Sequence, residues 1–215
     1  EETMLLPAGQ LRFFSGLQAA PELFTDIYNC YFDSGIVHWG SDEIFVDAGA
    51  QDLFTSYRFA RKTRGRYKAI YAFEPDRRNF AECAGNRELF DDRLHLFNLA
   101  LNDRPASMPF HEDRQNSCFS ADGESLVPAD TLDRCLAGVD PSFIKLHLEG
   151  AELAALRGAA DTIRRCSPTV AVCVDHRPDD IMTIPSLLLE LCPEYRLCLR
   201  HYSSSVTETV LYAVK

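Results

Sequence analysis

Ile44-Phe45-Val46-Asp47-Ala48-Gly49-Ala50 and, one helix further on, Ile70-Tyr71-Ala72-Phe73-Glu74-Pro75-Asp76 decide how this chain folds. Both are short apolar runs that end in an acid, separated by about one helix's length of chain. This is the pattern of strand, tight turn, helix and parallel strand in a βαβ unit. Ligands of open α/β sheets sit in the crevice at the carboxyl ends of such strands. Gly49 lets the backbone turn closely there, and the helix that follows opens its positive end toward the same crevice. Glu74, ending the second strand, is placed to grip both hydroxyls of a ribose. A nucleoside-bearing ligand is therefore the first expectation. A dinucleotide enzyme would carry G-x-G-x-x-G after the first strand. Here Gly49 is followed by Ala50, Gln51, Asp52, Leu53 and Phe54, and that fingerprint is missing.

The 215 residues are enough for a doubly covered sheet, and 46% hydrophobic with 25% charged residues is the composition of an ordinary globular protein. A net charge of −10 argues against sequence-independent nucleic-acid binding, which needs basic surface to neutralise phosphates. No apolar run approaches the roughly 20 residues that span a bilayer, and the acidic start Glu1-Glu2-Thr3-Met4 has no signal-peptide pattern. None of the eight cysteines forms a C-x-x-C pair, and most sit in apolar patterns. Reduced, structural thiols in a cytoplasmic protein are the expectation.

Outward from the opening unit, Pro21 to Val37 has the apolar spacing of an amphipathic helix, so residues 1–40 are expected to cap an α/β domain spanning 41–215. A helix is expected over Asp52 to Lys62, with Phe54, Tyr57 and Ala60 inward, and another over Arg77 to Leu89, with Phe80, Cys83 and Ala84 inward. Arg93 to Ala100 reads as a strand. Ser107 to Thr131 is turn-rich and reads as a strand pair or surface excursion. Phe143 to Leu148 is a buried strand that delivers Lys145, His147 and Glu149 on one face, at alternate positions. Pro168 to Val174 is the next strand, followed by a helix with Ile181, Ile184, Leu187, Leu188 and Leu191 inward. Tyr195 to Tyr202 and Val206 to Val214 read as a closing antiparallel hairpin.

Several stretches resemble the FkbM-type family of S-adenosylmethionine-dependent methyltransferases: Asp47-x-Gly49-Ala50, Phe73-Glu74-Pro75-Asp76, Asn98-Leu99-Ala100-Leu101 and Thr131-Leu132-Asp133. The most specific is Ile144-Lys145-Leu146-His147-Leu148-Glu149-Gly150-Ala151-Glu152, where the family usually has Asp at the position of His147. The resemblance runs from about Glu43 to the C-terminus. It implies a Rossmann-like, doubly wound, mostly parallel sheet with a C-terminal antiparallel hairpin, the class I methyltransferase architecture. It also implies S-adenosylmethionine as cofactor, leaving as S-adenosylhomocysteine. The matched positions Asp47, Gly49, Ala50, Thr55, Glu74, Asp76, Asn98 and Ala100 would then bind it. Leu53-Phe54 stand where the family usually has Gly-Asp, and a leucine at that turn is expected to crowd the donor.

The activity implied is O-methylation of a sugar or other small hydroxylated metabolite, with neither nucleic acid nor membrane as partner. A hydroxyl acceptor must lose a proton, and a base with pKa near neutrality suits that work. His147, beside the expected donor site, is the first candidate, followed by His176. His201 would orient one of them or touch substrate, and Lys145 and Glu149 complete the catalytic set. His147, Glu149, Asp175 and His176 together offer nitrogen and oxygen donors that suit several metals, but nothing in the spacing demands a metal and none is expected. Two other readings stay open: a catalytically silent methyltransferase fold used for binding or regulation, and a different nucleotide-binding enzyme using the same crevice.

Overall fold

The computed structural model describes residues 29–113, 117–203 and 206–215. The opening pair of runs forms β1 (Glu43–Ala48), α1 (Phe54–Lys62) and β2 (Tyr67–Phe73), with β1 and β2 parallel and Phe45 opposite Ile70. Next come α2 (Arg77–Gly85), a 3-10 stretch over Arg87–Arg93 and β3 (Leu94–Phe97). A small excursion supplies β4 (Ala100–Leu101), β5 (Ala106–His111), β6 (Cys118–Phe119) and β7 (Ser125–Asp130). The chain then returns through α3 (Leu132–Cys135) to β8 (Phe143–Leu146), α4 (Glu152–Arg157), α5 (Ala160–Cys166) and β9 (Thr169–Cys173). It closes with α6 (Asp180–Leu191), β10 (Arg196–His201) and β11 (Thr209–Val214).

The main sheet has seven strands in the order β10-β11-β9-β8-β1-β2-β3, and β11 runs antiparallel to both its neighbours. β1 and β8 run parallel, and the order in which strands are added to the sheet reverses between them, so a crevice opens at their carboxyl ends. Both faces are covered, which is why β1 and β8 read as near-continuous apolar runs. Alternation along β1 sends Phe45 to one core with Phe32, Phe59, Phe143 and Tyr212, and Val46 to the other with Ile144, Leu156, Ile184 and Leu188. Phe45 and Phe59 stack with centroids 4.5 Å apart. The excursion forms its own four-stranded sheet, β4-β7-β5-β6, around Phe110, Val127 and Ala129.

Four expectations need correction. Residues 21–28 of the helix expected over Pro21 to Val37 lie outside the described residues, and the part over 29–37 is a series of turns, with Phe32 N–H on Asn29 O and Ile36 N–H on Asp33 O. Phe32 and Trp39 from this end pack into the same core as the sheet. Second, α1 starts two residues late, after Leu53 takes a left-handed conformation, and this turns Ser56 and Phe59 inward and leaves Phe54 and Tyr57 exposed. Third, α2 stops at Gly85 and buries Asn79 and Cys83, not Ala84. Fourth, Ala100 belongs to β4 rather than β3, and α6 buries Asp180 where Ile181 was expected, because Asp180 accepts the Arg177 N–H.

Candidate active site

A cavity of about 650 Å³ lies at the carboxyl ends of β1, β2, β8 and β9, roofed by Phe110, Ser117 and Phe119 of the small sheet. That size is ordinary for a small-molecule site. Its floor is the turn after β1. Gly49 sits at φ 79°, and a Cβ there would lie 2.0 Å from the His147 carbonyl oxygen, so only glycine fits. The N–H groups of Gly49 and Ala50 both donate to Phe73 O at 3.0 Å, tying this turn to the end of β2.

Beneath the turn, Lys145 and Asp47 form an ion pair at 3.0 Å with both side chains out of solvent. Lys145 Nζ also donates to Ala48 O and Gly49 O, so its three N–H bonds are all engaged. Asp47 accepts the Ser56 hydroxyl on its other oxygen at 2.7 Å. These two residues hold β1, β8 and α1 in place. Asp47, expected to touch cofactor, is fully buried and is not among the residues that line the cavity, whereas Lys145, expected in the catalytic set, lines the cavity with its ammonium bonded to the turn.

Glu74 does line the cavity and is nearly buried. Its carboxylate accepts the N–H groups of Gln51 and Asp76 at 2.8 and 2.9 Å. Burial pushes its carboxyl up to about 7, against the pull of those hydrogen bonds. Asp76 does not line the cavity: it caps α2 by accepting the Arg78 and Asn79 N–H groups, and it accepts the Ser117 hydroxyl at 2.6 Å, so the roof is fastened to the helix. Asn98 donates to the carbonyls of Glu74 and Pro75, supporting the Glu74 turn from behind. Ala50, Thr55 and Ala100 line the cavity as expected. Leu53 does not crowd it, being buried in the aromatic core.

Across the cavity, His147 Nε2 lies 3.1 Å from Glu149 Oε1, and its Nδ1 is 2.6 Å from the Tyr31 hydroxyl. His176 Nε2 is 3.6 Å from the same Glu149 oxygen, and its Nδ1 is 2.8 Å from Glu152 Oε1. The buried Glu152 carboxylate also accepts the Leu148 and Gly150 N–H groups. Burial disfavours charge on His176, but the carboxylates of Glu149 and Glu152 outweigh it and raise its pKa to about 10. For Glu149 too burial opposes charge, and contact with the two imidazoles wins, lowering it to about 2. His201 lies on β10 with Nδ1 3.0 Å from the Thr209 hydroxyl, and it is not among the residues that line the cavity. Asp175 accepts the Thr209 N–H at 2.7 Å and stands outside the His147–Glu149–His176 group.

Tyr31 and Gln51 carry no signal in the sequence, and Glu152 stands there only as the end of the β8 motif, yet each is bound into the site. Tyr31, Gln51, Glu149 and Glu208 all line the cavity with positive φ, a conformation that costs free energy in a non-glycine residue. Such strain gathers where geometry serves function.

Residues 47–203 match the model of the methyltransferase FkbM domain. The chain belongs to that family. Among solved structures, this FkbM domain is similar to methyltransferase FkbM from Methylobacillus flagellatus KT, with 25% identity and a TM-score of 0.80 over 92% of this chain and 50% of that one. The chain thus spans half the length of that protein. Two more distant likenesses share the fold. Precorrin-6y C5,15-methyltransferase from Geobacter metallireducens is 11% identical, with a TM-score of 0.52 over 88% of this chain and 85% of that one. Fibrillarin from Aeropyrum pernix, solved with natively bound S-adenosyl-L-methionine, is 12% identical, with a TM-score of 0.51 over 88% of this chain and 76% of that one. No curated protein matches the chain. No helix among the described residues is long and apolar enough to cross a membrane.

Proposed function

We propose that this FkbM domain is an S-adenosylmethionine-dependent methyltransferase acting on a hydroxyl of a sugar or other small hydroxylated metabolite. One observation carries the reading: the Gly49 turn and the Glu74 carboxylate, which accepts the Gln51 N–H from that turn, face one cavity of about 650 Å³. Glu74 retains lone pairs for two ribose hydroxyls, and Leu99 and Ala100 offer an apolar flank for a base. When bound, the donor supplies an activated methyl group on a sulfonium, and the acceptor oxygen exchanges its proton for that methyl. The polar wall of His147, Glu149, His176 and Asp175 suits a hydroxyl-rich acceptor. With Nδ1 held by Tyr31, His147 Nε2 is the group positioned to take the proton.

The test is thermal unfolding with S-adenosylhomocysteine. At about 100 times its dissociation constant the ligand stabilises by roughly 2.7 kcal/mol. At roughly 2–4 °C per kcal/mol that is a rise of about 5–10 °C. Glu74→Ala should abolish the rise. A flat midpoint at millimolar ligand, with a shift from another nucleotide instead, would overturn the proposal.

A further inference from the structure

We infer that His147, Glu149 and His176 form a binding site for one divalent first-row transition-metal ion at the acceptor side of the cavity. Their ligand atoms all lie within 4.8 Å of one another. Atoms about 2.1 Å from a shared ion stand roughly 3.0–3.4 Å apart in tetrahedral or octahedral geometry. Of the distances from Glu149 Oε1 to the two Nε2 atoms, 3.1 Å falls within that range and 3.6 Å just above it.

The residues behind the cluster argue further. An imidazole that binds a metal through one nitrogen commonly donates its other N–H to a carboxylate or similar oxygen, which fixes ring and tautomer. The Tyr31 hydroxyl is such a partner at His147 Nδ1, and the Glu152 carboxylate stands 2.8 Å from His176 Nδ1 as a charge contact outside hydrogen-bond geometry, which a small turn of the ring onto an ion would align. Both Nε2 atoms are thereby left facing Glu149. Glu152 is itself anchored by the Leu148 and Gly150 N–H groups, and Glu149 holds φ 49° in the same loop. Two imidazoles and one carboxylate favour Zn²⁺, Co²⁺, Fe²⁺ or Mn²⁺ over the all-oxygen preference of Ca²⁺ and Mg²⁺. Three protein ligands leave coordination positions open toward the cavity.

Ion binding needs no methyl donor, but the role we assign to it rests on the methyl-transfer reading. A hydroxyl of the acceptor, bound to the ion, has its pKa lowered and gives its proton to water, while the oxygen stays on the ion. His147 is then a ligand and no longer the base. An acceptor with two neighbouring hydroxyls would fill two open positions.

The test uses the full chain, stripped by chelator and titrated with Co²⁺ and Zn²⁺ without donor, followed by calorimetry and the visible Co²⁺ spectrum. One ion per chain is expected. Glu149→Ala and His176→Ala should abolish binding at micromolar protein, and Glu152→Gln should weaken it by about 10–100-fold. Cys173→Ala should leave it intact, which separates this cluster from the alternative one of His147, Cys173 and Glu208. Unfolding midpoints of the ion-free variants show whether each is folded, and Glu149→Gln substitutes for any that is not. Failure of both ions to bind below millimolar concentration, or binding that survives Glu149→Ala, would overturn the inference. The S-adenosylhomocysteine midpoint shift is read separately, so loss of ion binding with that shift intact refutes only the metal site.

Discussion

Around the Gly49 turn the buried polar side chains other than Glu74 are saturated by their neighbours, whereas across the cavity, in the loops after β8 and β9, the polar side chains face one another and the cavity. Asp47, Lys145, Asp76 and Asn98 spend their hydrogen bonds on backbone, on each other and on the Ser56 and Ser117 hydroxyls. They offer a ligand shape rather than chemistry: a fixed turn, a fixed Glu74 and a flank of apolar side chains. His147, Glu149 and His176 instead share one carboxylate oxygen between two rings, so a ligand or ion can replace contacts they now make with each other. A rigid side for binding opposite a reactive side for exchange of protons or ions is what transfer chemistry asks of a pocket.

The largest effect that tests this contrast is at Lys145. If it braces the turn, Lys145→Met leaves the Asp47 charge buried without its counter-charge and lowers stability by about 3–5 kcal/mol. The double variant Asp47→Asn with Lys145→Met should recover much of that loss, since no lone buried charge remains. Denaturant midpoints of the three proteins measure the difference. A Lys145→Met protein of native stability that fails only in turnover would return Lys145 to the reactive side and break the comparison.

The frame of the fold was legible because its signals are local. Apolar runs ending in acids mark β1 and β2, alternation marks β8, and the Gly49 and Glu74 positions follow from where those strands end. What the sequence could not show is which way a motif residue points once its partners are far along the chain. Asp47 meets a lysine 98 positions away and His147 a tyrosine 116 positions away, and neither pairing leaves a periodic trace. Leu53 is a third case, since the sign of its φ cannot be read from an apolar side chain. At φ 70° it carries the strain that glycine would avoid, yet its side chain is almost wholly inside the aromatic core. Losing a buried leucine costs about 2–5 kcal/mol, and relief of the left-handed conformation returns about 1–2. Leu53→Gly, which restores the residue usual in the family, should therefore destabilise the domain by about 2 kcal/mol, or roughly 4–8 °C. A more stable variant would show that strain outweighs packing there.

The smallest expected effect belongs to Glu74, the acid on the rigid side that faces the cavity. Burial raises its folded pKa to about 7, with Asp76 pushing in the same direction and Lys145 opposing. An unfolded glutamate titrates near 4.3, so between that pH and about 7 the folded chain keeps a proton that the unfolded chain has lost. Stability from this group therefore falls as pH rises through that window and is level above it. Donor binding has the opposite slope. Ribose hydroxyls donate to the ionised carboxylate, so S-adenosylhomocysteine should bind about tenfold more weakly near pH 6 than near pH 8, a difference of roughly 1.4 kcal/mol. Titration calorimetry in buffers of different ionisation heat would count a proton released on binding below pH 7, and Glu74→Gln should remove both the release and the slope. A slope that persists in Glu74→Gln would place the titrating group across the cavity, and the rigid side would then be electrostatically silent as well as saturated.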